Sequence, residues 1–201
     1  MSIVKLNNRS VKDITAFGSI SSLGSLTHIA TQTASSSATV SFTSGIDSTY
    51  KEYIFYFVNI HPATDNVYFS FQGNKAGGSG YNETITSSTF QAYHEENGGS
   101  AVLGYRTDLD QAQGTSFQQI TQNVGNANDE SISGYLHLFN PSSTTFTKNF
   151  IARLNTYYYG DITIDNFSAG YFNETDAIEE IQFKLSSGNI DSGQILLFGL
   201  S

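Results

Sequence analysis

The sequence predicts an all-β fold, an antiparallel sandwich in a single domain. Three observations predict it. About ten short runs rich in Ile, Val, Thr, Phe and Tyr alternate apolar with polar residues, the period of a strand with one face buried. Clusters of Gly, Ser, Asn and Pro separate these runs as turns do. No stretch of useful length keeps a helical period, and the 201 residues suit one sandwich or barrel.

Taken in order, residues 1–24 carry no periodicity and read as an extended N-terminal arm; the domain proper spans 25–201. Leu26 to Thr33 and Ala38 to Thr43 read as Thr-rich strands around the polar knot Ser35-Ser36-Ser37. The segment YKEYIFYFVNI is apolar on both faces, with Ile54, Tyr56, Val58 and Ile60 alternating with Tyr53, Phe55, Phe57 and Asn59. It is expected to be a central strand covered on both sides, ended by His61-Pro62 because proline cannot donate to a ladder. In NVYFSFQ, Val67, Phe69 and Phe71 share one face. Gln72 to Tyr81 reads as a Gly-rich loop.

Further strands are expected in ITSSTFQAYH, AVLGYRT, TSFQQIT, SISGYLHLF, NFIARLNTYYY, DITIDNFSAGYF, IEEIQFKLS and QILLFGL. Gly134 inside SISGYLHLF marks a bulge or a close backbone approach, and NPSSTT at 140–145 marks a turn. TDAIEE at 175–180 is the one segment that reads as a helical turn. The last two strands, joined by SSGNIDSG, read as a closing hairpin with Ile181, Phe183 and Leu185 inward. Two sheets with Greek-key connections, a jelly roll, fit this pattern best.

Composition excludes several functions. With no cysteine there is no disulfide, zinc-thiolate or thiol chemistry. The net charge of −9 argues against nucleic acid and anionic membrane as partners. Lys5, Arg9 and Lys12 stand against Asp13 alone in the arm, leaving about −11 on the remainder. Such a basic arm suits the acidic body of a neighbouring copy. MSIVKLNNRS has too short an apolar stretch for a secretion signal, so synthesis in the cytoplasm is expected.

The search for chemistry yields no assignable catalytic, cofactor-binding or metal-ligating residue. There is no GxSxG elbow or Walker loop, and AGGSG lacks a helix to follow it. His28, His61, His94 and His137 are scattered, without HxH or HExxH spacing. Asp108 with Asp110, Asp161 with Asp165, and Asp176 with Glu179 and Glu180 could offer oxygen ligands, but none has an EF-hand spacing. Glu95-Glu96 point opposite ways on a strand, which does not make an acid–base pair. In Tyr157-Tyr158-Tyr159, one ring is expected inside and the others at an edge or interface. The Asn-X-Ser/Thr sites at Asn8, Asn82, Asn166 and Asn173 follow from composition.

TASSSATVSFTSGIDSTYKEYIFYFVNIHP, GYNETITSSTFQAYHEE, SGYLHLFNPSSTTFTKNFIAR and IQFKLSSGNIDSGQILLFGL resemble small structural proteins of marine tailed bacteriophages, cyanophages among them. IVKLNNRSVKDIT resembles their N-terminal arm. The resemblance spans almost the whole chain, and its motifs are strands and turns rather than catalytic residues. It implies a non-enzymatic virion protein of jelly-roll type without a cofactor, either decorating or cementing the capsid or forming a knob. Its partners would be other virion proteins, and the phage setting favours a homotrimer. A tail-fibre or collar module that recognises host-surface glycan is the alternative, motivated by the Tyr-rich strands and the loops Gly73–Gly80 and Gly98–Gly99.

Overall fold

A computed structural model describes residues 26–200; the arm expected over 1–24 lies outside them. The strands are β1 (Leu26–Ser37), β2 (Val40–Phe42), β3 (Glu52–Pro62), β4 (Phe69–Lys75), β5 (Ile85–Glu95) and β6 (Ala101–Tyr105). They continue with β7 (Gln118–Gln119), β8 (Ile132–Phe139), β9 (Lys148–Tyr158), β10 (Ile162–Phe172), β11 (Ile178–Leu185) and β12 (Ile190–Leu200). No helix forms among the described residues. The expected all-β sandwich is found: an eight-stranded sheet ordered β1-β12-β3-β8-β9-β10-β5-β6 and a four-stranded sheet ordered β2-β11-β4-β7. Every strand pairing is antiparallel.

An aromatic cluster joins the sheets. Phe183 on β11 meets Phe55 and Phe57 on β3 at 5.3 and 5.2 Å between ring centroids, and Phe69 on β4 at 5.7 Å. Phe42 lies 6.3 Å away in edge-to-face contact. All five rings are buried. Offset and edge-to-face rings gain beyond their burial, and truncating one such ring to alanine costs about 3–5 kcal/mol. Phe71 carries the contact sideways to Phe150 on β9 and Phe172 on β10, at 5.0 and 6.1 Å.

Several expectations are met. Val67, Phe69 and Phe71 are all buried, and β3 is internal to its sheet and ends at Pro62. Gly134 is a close backbone approach: a Cβ there would lie 2.3 Å from the Arg153 carbonyl oxygen. At NPSSTT, the Ser143 amide donates to the Asn140 carbonyl at 3.0 Å.

Others are corrected. The outer face of β3 is not covered by a second layer, since Tyr56 is half-buried and Val58 exposed. Asn59, with φ of 49°, forms an irregularity that breaks the alternation, so Ile60 turns inward with Phe57. β1 runs through the Ser35-Ser36-Ser37 knot, and β4 continues to Lys75, so the Gly-rich connection begins only at Ala76. TDAIEE is not helical; a register shift between Ile178 and Glu180 places Ile178 and Ile181 inside together, which mimics a helical spacing. The last two strands do not pair as a hairpin. β11 joins the small sheet and β12 the large one, so Phe183 and Leu197 enter the same core from opposite layers.

The β10–β11 connection is held by charge. Glu174 accepts from Lys75 and from the amides of Thr175 and Asp176, while fully buried Lys148 donates to the Glu174 carbonyl at 3.0 Å. The Lys75 ammonium, followed by the Asp176 amide, holds the Glu174 carboxyl below its ordinary 4.5. A carboxyl lowered in the folded state stabilises above its unfolded pKa and loses that contribution as pH falls through the folded value. Denaturant unfolding at a series of pH values should therefore show Glu174→Gln less stable than the parent at neutral pH. The gap should close progressively below pH 4.5.

Candidate functional site

The two sheets differ in width, and this creates the site. The small sheet has half the strands of the large one and meets β10 and β5 near their Phe172 and Ser87 ends, where Phe71 lies 6.1 Å from Phe172 and Gln118 of β7 accepts from Ser87, leaving the Ile162 end of β10 and the Glu95 end of β5 overhanging. Segment 106–124, loop apart from the two-residue strand β7, covers the overhang: the Arg106 amide donates to the Thr89 carbonyl, and the Gln111 amide to the Ser87 hydroxyl. Loop backbone pressed into an interior needs partners, and buried side-chain amides supply them. Gln72 donates to the carbonyls of Glu83, Thr115 and Ser116 at 2.9–3.2 Å. Gln118 donates to the carbonyls of Leu109 and Gln119. Asn166 accepts from the Gln122 amide and donates to the Thr156 hydroxyl. The inner face of β5 and β10 is accordingly polar, with Thr89 and Gln91 opposite Ser168 and Asn166.

Where the loop cover ends, a cleft of about 330 Å³ opens. Strand alternation aims Gln91, Tyr93 and Glu95 of β5 into it, beside Ile162 and Ile164 of β10 and Tyr158 of β9. Arg106 and Gln122 enter from the covering segment. Arg106 donates twice to Asp108, at 2.9 and 2.6 Å, which holds the Asp108 carboxyl below the usual range. The Gln122 amide is satisfied with its oxygen toward the Arg106 guanidinium. Gln91 is only 6% exposed and lines the cleft; the buried side-chain atoms left without a partner among the described residues are Asn74 Oδ1 and Gln111 Oε1. Burial, then the hydrogen bond with Tyr159, pushes Tyr158 up to about 12. Its hydroxyl is therefore a neutral donor at ordinary pH.

The other sequence candidates scatter. His28 contacts Thr31, His137 pairs with Glu52, and His94 is exposed. Asp165 pairs with Arg153 on the outer face, whereas Asp161 sits in the β9–β10 turn. Asp110 accepts from Tyr105, and Glu180 from Asn74 and Tyr81. No group of three potential metal ligands forms among the described residues. His61 lines a separate polar depression of about 400 Å³ with Asp129, Glu130 and Asp191. There His61 is already bonded to the Ala127 carbonyl, and Glu130 accepts from the Ala127 amide. Asn166 is fully buried, so its glycosylation motif is closed in the folded chain.

Of the cleft residues, sequence reasoning singled out Tyr158 and Glu95 but gave neither a site; Gln91, Arg106 and Gln122 were missed. The signal available was polar residues at alternate, inward positions of two strands, Thr89 with Gln91 and Asn166 with Ser168. The Gly98–Gly99 turn follows Glu95 at the cleft end of β5, while the segment 73–80 lies by the opposite end. Comparison of the chain with known families, characterised proteins and solved structures finds no match.

Tyr157, raised first by its hydrogen bond to Glu96, also reaches about 12. In an alkaline spectrophotometric titration, a late-ionising class near 12 should stand apart from the tyrosines titrating near the ordinary ~10. Tyr158→Phe should remove one member of that class.

Proposed function

We propose that the chain is a non-enzymatic structural protein of a tailed-phage particle that decorates or cements the head. In this reading the outer face of its large sheet is buried against neighbouring capsid subunits. One observation carries the proposal. A single row of direct cross-strand neighbours crosses all eight strands of that face: Thr31, Leu196, Tyr56, Tyr135, Arg153, Phe167, Phe90 and Tyr105. At ordinary strand spacing it is about 30–35 Å long. Aromatic residues and arginine are the types enriched where proteins bury one another. Phe90 and Phe167 stack at 4.7 Å with 5° between planes, and the Arg153 guanidinium lies 4.7 Å over Phe167. Both faces of the Phe167 ring are thus occupied, so it presents an edge, suited to a protein surface rather than to stacking on a sugar.

The winding supports the same reading. Setting aside the inserted pairs β5–β6 and β9–β10, the remaining eight strands divide between the sheets in the orders first-eighth-third-sixth and second-seventh-fourth-fifth. We read this as a jelly roll, an architecture that serves viral capsid and lectin domains alike. Closed symmetry is the usual form of such assemblies, and a homotrimer is the form proposed. A second reading, a tail-fibre or collar module that recognises host-surface glycan, is favoured by the cleft beneath β5, β9 and β10.

Copy number per particle, measured by quantitative mass spectrometry of purified virions, separates the two. Hundreds of copies are expected for head decoration; a few to a few dozen would move the protein to the tail or collar. Phe90→Glu combined with Tyr105→Glu should abolish incorporation while leaving the fold intact, as should removal of residues 1–24. Undiminished incorporation of the double variant would refute the outer face as the contact.

A further inference from the structure

We infer that the cleft between the overhanging strands and segment 106–124 is a binding site for one neutral saccharide unit. The inference takes its biological meaning from the second reading above but stands on the cleft itself. Its volume of about 330 Å³ falls at the small end of the ~300–1,000 Å³ typical of small-molecule pockets. The lining offers donors and acceptors together. Gln91 supplies both from one planar amide, the tyrosine hydroxyls supply either, and Glu95 accepts. Adjacent sugar hydroxyls, each at once donor and acceptor, match that mixture. The rings of Tyr93 and Tyr158, with Ile162 and Ile164, provide apolar surface for the C–H face of a pyranose.

Charge selects among ligands. Arg106 is already neutralised by its two bonds to Asp108 and by the Gln122 oxygen. Its charge is thus already paired, and the Glu95 carboxylate on the lining repels an anion. The strongest pointer is Gln91. It lines the cleft on a strand whose inward neighbours Ser87 and Thr89 are already bonded to protein groups. A ligand hydroxyl at the Gln91 amide completes the pattern.

The test uses the full chain and saturation-transfer NMR. Free glucose, galactose, mannose and N-acetylglucosamine are the probes, with glucuronate as the anionic control. Saturation should pass to at least one neutral sugar, be lost in Gln91→Leu and fall several-fold in Tyr93→Ala, while glucuronate receives none. Far-ultraviolet circular dichroism identifies a variant that fails to fold, and the second variant then decides. Transfer to no neutral sugar, or transfer undiminished in folded Gln91→Leu, overturns the site. Adsorption of the labelled chain to bacterial cells separates the two ideas. Adsorption that persists in Gln91→Leu sinks the cleft but leaves glycan recognition elsewhere on the surface standing.

Discussion

Packing around the Phe183 ring is the constraint on which the rest of the molecule depends. It locks β11 to β3 across the sandwich and to β4 beside it in the same sheet, and thereby fixes where the small sheet sits on the large one. Because four strands are anchored over part of an eight-stranded sheet, the remainder must overhang. An overhang covered by loop cannot be lined with phenylalanine, since the loop's backbone groups would go unpaired at about 1–3 kcal/mol each. The change from an aromatic interior at Phe57 and Phe183 to a polar one at Gln72, Gln118 and Asn166 follows from that geometry. So does the cleft at the limit of the cover.

The two faces of the large sheet therefore differ in kind. Outward, Tyr56, Tyr135, Arg153, Phe167, Phe90 and Tyr105 run in one row from β3 to β6; Tyr56 meets Tyr135 at 6.5 Å and, beside the row, Phe198 of β12 at 5.6 Å. That surface is broad and shallow. Inward, at the same end of the sheet, Gln91 and Tyr158 face a confined space. Strand alternation links the two: Phe90 and Gln91 are neighbours in sequence and belong to opposite faces.

Strand alternation made most of this fold legible. β9 follows its period strictly, burying every second residue from Lys148 to Thr156, and Phe69 and Phe71 of β4 both enter the core as their spacing requires. The period misled where the backbone departs from ideal pairing. The irregularity at Asn59 shifts the phase of β3, and the one at Ile178 disguises a strand as a helical turn. Pairing partners were less legible still. β11 and β12 are adjacent in sequence and both apolar inward, which a hairpin and a crossover between sheets satisfy equally. The cleft was the least legible part: Gln91, Arg106, Gln122 and Tyr158 come from separate segments, and only the unequal sheet widths bring them together.

A chain without cysteine permits a direct measurement of that inequality. Single thiols introduced as Gln91→Cys, at the cleft, and Ala152→Cys, under full cover on β9, are exposed to a small thiol reagent across a denaturant series. In the folded protein the first should be labelled at a rate nearly independent of denaturant. The second should react only as the whole molecule unfolds. Equal protection of the two thiols would contradict an open cleft beneath an overhanging sheet.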